Sequence, residues 1–237
     1  MNAPRQVQFY ATPPQPCAYL PEQESVSLFA DPAVTDSALY DRLARLGFRR
    51  SGSHVYRPAC THCNACVPVR IPVTAFQLRR RDRRCLKHNA DLTTHLVEAQ
   101  FSEQAYALYC KYLAARHPGG GMDKPTPEQF SQFLLGNWSD TWFLELRLDE
   151  RLLAVAVTDQ LEDGLSAVYS FYDPALSERG LGHASILRQI EATRDMGLPY
   201  LYLGYWIEAS RKMAYKGDYR PLEAWRGDHW KALPYSP

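Results

Sequence analysis

Hydrophobic positions along this chain switch between two periods, and the switches mark its elements. Leu39, Leu43 and Leu46 share one face of a helical repeat, which predicts a helix over Asp36–Leu46 that Gly47 ends. Val69, Ile71 and Val73 alternate as in a strand, and Pro68 and Pro72, lacking N–H donors, confine that strand to a sheet edge. Residues 1–16 are Pro-rich and polar and read as an extended arm, while the basic stretch 78–88 reads as a helix. From residue 91 the pattern is more regular. Asp91–Ala99 reads as a strand and Ser102–Arg116 as a helix capped by Ser102. After a loop at 117–125, Thr126-Pro-Glu-Gln129 forms a capping box that opens a second helix. Thr141–Leu148, Leu152–Gln160 and Leu165–Tyr172 then alternate as three strands of an antiparallel meander, with turns at 149–150 and 162–164. A helix at Gly182–Met196, a strand at Pro199–Tyr205 and a short helix around Ala209–Tyr215 follow.

This pattern gives a mixed α+β protein, with a boundary near residue 90 between a smaller N-terminal domain (1–90) and a larger one (91–237). The order strand, two helices, three strands, helix, strand, helix resembles the GNAT acyltransferase fold. Arg179-Gly-Leu-Gly-His183 lies between the third meander strand and the next helix. A glycine-rich entry there leaves backbone N–H groups bare at a helix N-terminus, where they and the helix dipole hold phosphate oxygens. In acetyltransferases of that fold, a motif of this form grips the coenzyme A pyrophosphate.

Composition adds two features. The formal charge of +1 conceals an asymmetry: residues 1–90 carry 13 Lys/Arg against 6 Asp/Glu, and residues 91–237 carry 14 against 20. Arg79, Arg80, Arg81, Arg83, Arg84 and Lys87 supply much of the excess, opposed locally only by Asp82. Such a run is a natural phosphate surface, or else a solvated helix face. Three of the six cysteines are clustered. Cys60-x-x-Cys63-x-x-Cys66 places three thiols on one turn, with Cys17 as the natural fourth. Either zinc or an iron–sulfur cluster suits four converging thiolates; free, partly buried thiols are the bland alternative. No apolar run approaches membrane-spanning length and the first residues lack a signal peptide's apolar core, so the expectation is a cytoplasmic protein with reduced thiols and no membrane partner.

Longer blocks carry a second resemblance. Cys17-x-Tyr-Leu-Pro21, Gly47-Phe-Arg-Arg-Ser51, Tyr56-Arg-Pro-x-Cys-x-x-Cys-x-Ala-Cys-Val-Pro-Val-Arg70 and Asn89-Ala-Asp-Leu92 come first. Tyr112-Leu-x-x-Arg-His117, Gly164-Leu-Ser-x-Val-Tyr-Ser-Phe-Tyr-Asp-Pro174, Leu198-Pro-Tyr-x-Tyr-Leu-Gly-Tyr-Trp206 and Ser210-x-Lys-Met-x-Tyr-Lys216 follow in order. In these the chain resembles the arginyltransferase family, most closely its short bacterial branch of aspartate/glutamate leucyltransferases. Two segments depart from that pattern: Arg179-Gly-Leu-Gly-His183 stands where Arg-Ser-Leu-Gly-Thr is expected, and the basic segment lacks interspersed serines.

The resemblance implies transfer of leucine from leucyl-tRNA to the N-terminal Asp or Glu of proteins, marking them for degradation. The donor ester is already activated, so neither ATP nor coenzyme A is expected. An α-amine with a pKa of about 7.7–8.0 needs only a mild base. Asp173, His117 and Glu145 are all chemically able. By analogy with the GNAT arrangement, backbone donors near Ser170, Phe171 and Tyr172 would stabilise the oxyanion. Arg179, Gly180 and Gly182, with the arginines at 79, 80, 81, 83 and 84, would hold tRNA phosphates. An acidic acceptor also demands a cation: Lys212 and Lys216, four apart on the short C-terminal helix, or Arg70. Tyr169, Tyr172, Tyr200, Tyr202, Tyr205 and Trp206 read as core, or as a stacking surface for the terminal adenine or the leucyl side chain. The rivals are arginine as cargo, a coenzyme A-dependent N-acetyltransferase, and a non-catalytic metal-dependent binding module.

Overall fold

The computed structural model describes residues 6–116 and 124–234, which form two compact units: 1–71 with 203–237, and 72–202. Chain order in the first unit is β1 (Phe9–Ala11), β2 (Gln15–Pro16), β3 (Glu24–Ser25), β4 (Ser27–Ala30), α1 (Ser37–Arg45), β5 (Arg49–Ser51), β6 (His54–Pro58) and β7 (Val67–Pro72). The second unit holds α2 (Arg80–His88), β8 (Thr93–Glu98), α3 (Glu103–Arg116), α4 (Pro127–Leu134), β9 (Thr141–Leu148), β10 (Arg151–Leu161), β11 (Gly164–Tyr172) and α5 (Leu181–Asp195). β12 (Tyr200–Trp206) spans the division at 202/203, and β13 (Glu223–Arg226) and β14 (His229–Ala232) return to the first unit. Among the described residues no helix is long and apolar enough to cross a membrane.

In the second unit, β8 to β11 form an antiparallel meander in the order β11-β10-β9-β8, and β12 joins parallel to β11. Alternation along β10 divides the core. Val155 and Val157 face α3 and α4, meeting Leu108, Tyr109, Phe130 and Phe171. Ala154 and Ala156 face α5, meeting Leu181 and Ala184. A register shift between Leu152 and Ala154 puts Leu153 on the α5 side as well, breaking strict alternation. The predicted caps hold: Ser102 Oγ accepts from the Ala105 amide at 3.1 Å, and Thr126 and Gln129 form the reciprocal box. The order strand, two helices, three strands, helix, strand matches the expectation from the sequence as far as β12, and the protein is mixed α/β.

In the first unit, β1, β4, β6 and β5 form one sheet, and β14-β13-β7 run on to the Leu203–Trp206 half of β12 in another. Asp36 caps α1 through the Leu39 amide (2.8 Å), and Leu39 and Leu43 are buried as expected. Leu46 is not: it caps the helix at 45% exposure. β7 corrects the edge assignment, since it lies between β13 and β12. Its register with β13 uses only Val69 and Arg70, between the two prolines, so neither ring interrupts it. The expected helix at 209–215 is a 3₁₀ turn over Ala214–Asp218 instead. The compact units also divide away from residue 90, because α2 packs on α5 and β13 pairs with β7.

Candidate functional site

The end of β11 departs from regular sheet pairing. Val157 pairs with Tyr169 and Thr158 with Ala167, which leaves Val168 as one extra residue in β11. Such a bulge increases the local twist and re-aims the residues beyond it. The parallel register with β12 covers only Gly164–Ser166, so Ala167–Tyr172 lie outside it. Ser170, Phe171 and Tyr172 therefore pair with β10 on one side and lie outside the register with β12 on the other.

Asp173 follows directly and is 2% exposed. It accepts from Lys111 Nζ at 2.6 Å, Arg151 Nη2 at 2.5 Å and the Ala175 amide at 3.0 Å. Burial works to raise its pKa, but these three donors outweigh burial and hold the carboxyl below its usual range. A carboxylate so clamped is a poor proton acceptor for an amine; it fixes the strand end. Glu145 is likewise engaged, with Arg147 Nε at 2.7 Å. His117 lies outside the described residues.

The glycine-rich loop and the basic helix come together. Gly180 sits in the left-handed region (φ +62°) as the N-cap of α5, and its carbonyl accepts from the His183 and Ala184 amides. A Cβ on Gly182 would stand 3.0 Å from Tyr172 Cε1, so glycine makes room for that ring. Asn89 donates to the Arg179 carbonyl at 2.8 Å, and His183 Nε2 lies 2.9 Å from Asp82 Oδ1. Asp82 is fully buried at the start of α2; burial pushes its pKa up, but the Arg79 amide and guanidinium prevail and hold it low. For His183, burial and then nearby Arg81 and Arg79 outweigh Asp82 and depress the pKa, favouring neutral imidazole.

The six proposed phosphate cations are not equivalent. Arg80, Arg81, Arg83 and Arg84 are exposed on α2. Arg79 turns to Asp82 at 3.3 Å, and Arg179 makes a two-pronged pair with Asp91 at 2.7 and 2.9 Å. Arg179 is thus engaged within the fold, whereas the α2 arginines at 80, 83 and 84 are exposed.

In the first unit, the thiols of Cys60, Cys17 and Cys63 lie near enough to that of Cys66 to act on it electrostatically. Burial first, then those three neighbours, push the Cys66 thiol up to about 11, while Lys216 opposes them. All four are half-buried free thiols, and Cys60 Sγ accepts from the Val26 amide at 3.4 Å. Among the described residues no three His, Cys, Asp or Glu side chains are gathered closely enough to hold a metal ion. Thiols are the donor type that soft metal ions prefer, and Cys66 lies within electrostatic reach of the other three.

Lys216 is 8% exposed and donates to the Tyr205 carbonyl at 3.0 Å. Burial, then the like charge of Arg49, depress its pKa to about 7. It has no carboxylate partner among the described residues. Arg70 has one, Glu223 at 2.8 Å, and lies 4.5 Å over the Trp230 ring. Lys212 is exposed and precedes the 3₁₀ turn, so the two lysines do not share a helix face. Gly204 (φ +80°) admits Arg49, whose Nε would lie 3.0 Å from an added Cβ.

The aromatic concentration is dispersed. Tyr202 and Tyr205 are buried and hydrogen-bonded, to Asp163 and to the Gly47 and Tyr56 carbonyls, and Trp206 donates to Ala214. Tyr169 and Tyr172 instead meet Tyr112. Lys111, Arg151 and Arg116 were not legible as site residues, because their partners lie 22 to 62 positions away and no local pattern marks them.

Comparison with known proteins adds the following. Family models described as "Arginine-tRNA-protein transferase, N terminus" and "C terminus" match residues 15–84 and 104–226. An aspartate/glutamate leucyltransferase of Marinobacter nauticus is 50% identical over 98% of this chain and 99% of its own. That of Alcanivorax borkumensis is 52% identical over 95% and 93% respectively. Among solved structures, the C-terminal domain of a putative lysylphosphatidylglycerol synthetase from Agrobacterium fabrum aligns with a TM-score of 0.49 at 15% identity, over 73% of this chain and 53% of that one.

Proposed function

The chain belongs to the arginine-tRNA-protein transferase family, and from that premise we infer that it transfers leucine from leucyl-tRNA to proteins whose N-terminus is Asp or Glu, marking them for degradation. The carrying observation is identity of about one residue in two, end to end, with aspartate/glutamate leucyltransferases. A cytoplasmic location suits a protein that meets charged tRNA.

In this reading the α-amine of the acceptor attacks the ester carbonyl carbon. The new C–N bond forms as the bond to the ribose oxygen of the terminal adenosine breaks, and the proton lost from the amine ends on that oxygen, directly or through water, so that it departs as a hydroxyl. At pH 7.4 roughly a fifth to a third of such amines are already neutral, so no strong base is required. Rate comes from holding amine and ester together and from donors to the oxyanion. Backbone N–H groups at the end of β11, Ser170 to Tyr172, are assigned that task. Asp173, held by Lys111 and Arg151, keeps the strand end in place. Exposed α2 arginines and the backbone of the 179–182 loop take tRNA phosphates.

Lys216, buried and without a carboxylate partner among the described residues, is assigned to the acidic acceptor side chain, whose arrival would favour the charged form that burial and Arg49 disfavour. Cys17, Cys60, Cys63 and Cys66 would hold zinc or an iron–sulfur cluster. That group would supply a cross-link between the N-terminal segment and the 60–66 turn.

The test is transfer of labelled leucine from charged tRNA to peptides beginning Asp, Glu or Ala. Label on the first two alone supports the assignment, and label only from arginyl-tRNA would replace leucine as cargo.

A further inference from the structure

At the end of β11 an aromatic ring and an uncommitted cation meet where the fold has no structural need of the cation. Tyr172 closes the strand, half-buried, with α3 on one side through Tyr112 (ring centroids 5.0 Å apart) and α5 on the other through Gly182. Its hydroxyl has no hydrogen-bond partner among the described residues. Arg116, exposed in the last turn of α3, holds its guanidinium 5.7 Å from the Tyr172 ring centroid. Among the described residues Arg116 has no carboxylate partner. Tyr169 and Phe133 extend the aromatic surface behind Tyr112.

We propose that Tyr172 and Arg116 seat the terminal adenosine of the donor tRNA, the adenine stacking on the Tyr172 ring with the guanidinium over its second face. This rests on the leucyl-transfer reading above. If the ester carbonyl lies at the Ser170–Tyr172 backbone, the adenine lies one nucleoside away, since the ester is made to that nucleoside's own ribose. Tyr172 is the aromatic side chain on that stretch of backbone that also bears a free cation. Unpaired RNA bases are commonly held between an aromatic face and an Arg plane. Two stacking layers span about 7 Å, so Arg116 need shift outward by little more than an ångström from its 5.7 Å position. This seat reads the base, whereas the α2 arginines read phosphate, and the two differ in their response to salt.

The experiment uses the full chain and a non-reactive donor mimic, 3′-deoxy-3′-leucylamidoadenosine, with binding measured by calorimetry and leucyl transfer measured in parallel. Arg116→Ala is expected to weaken mimic binding about tenfold and to raise KM for leucyl-tRNA by a similar factor, with a smaller effect on kcat. The loss should persist at raised salt. Tyr172→Phe should bind the mimic as the wild type does, because the ring remains, whereas Tyr172→Leu should not. A leucyl-tRNA with an abasic terminal nucleotide should make wild type and Arg116→Ala equal. Unchanged mimic binding in Arg116→Ala, or a loss that disappears in salt, overturns the seat. Because Arg116 is exposed, its variant is not expected to unfold. If the wild type transfers no leucine at all, the functional reading fails, and mimic binding still decides the seat.

Discussion

Replacing Asp173 by Asn separates a positioning carboxylate from a catalytic one. The substitution keeps the shape and the cap on Ala175 but removes the charge that faces Lys111 and Arg151. Each charge-assisted bond would contribute about 1.5–3 kcal/mol if fully buried. Their cationic partners are 49% and 60% exposed, so solvent screening reduces the pair to roughly 1–2 kcal/mol in total. For a chain of this size that corresponds to a fall in Tm of about 3–6 °C. The pH dependence has a definite sign. Asp173's pKa is lower in the folded protein than its ordinary value of 3.8, so its contribution is present above that value and lost as pH falls through the folded one. The Tm gap between wild type and variant should therefore be constant from pH 5 to 8 and close below about pH 4. In leucyl transfer, the variant should lose less than about tenfold in kcat and keep the wild-type pH profile, whose acid limb reflects the acceptor amine. General-base loss typically costs about 10²–10⁴-fold. A fall of that size, with the acid limb altered, would refute the positioning role.

Other expectations follow from single contacts. Lys216→Met should raise KM for Asp- and Glu-initiated peptides by tenfold or more while sparing thermal stability; equal kinetics on both peptides would remove Lys216 from recognition. Gly204→Ala places a Cβ 3.0 Å from Arg49 Nε at φ +80°, and should cost about 1–3 kcal/mol in chemical denaturation. In metal-free protein, Cys66 should be the slowest of the four clustered thiols to alkylate at pH 8 by mass spectrometry, since its pKa is near 11. Removing Arg80, Arg83 and Arg84 together should reduce the slope of log K against log salt for tRNA by about 2.

Periodicity was a good guide wherever an element's own residues decide its form. The caps of α1, α3 and α4 are local chemistry, and the meander's alternation is set by the two core faces of β10. It failed where partners lie far along the chain. The strand character of β13 and β14 depends on Val69 and Arg70, some 150 positions earlier, and no motif announces them. β7 looked like an edge because prolines argue against central strands, and only the register shows that they fall outside the paired residues. Among candidate site residues, spacing singled out the cysteines and the glycine-rich loop. It could not tell that Arg179 is spent on Asp91, that Arg70 is spent on Glu223, or that Lys216 is buried and Lys212 is not. Charges in a sequence carry no record of their partners.

The most direct test of the account is a donor and acceptor matrix: leucyl-tRNA and arginyl-tRNA against peptides beginning Asp, Glu or Ala, with acetyl-CoA in a parallel arm. Label is expected on Asp and Glu peptides from leucyl-tRNA alone. Acetyl transfer with no aminoacyl transfer from either tRNA would contradict that expectation.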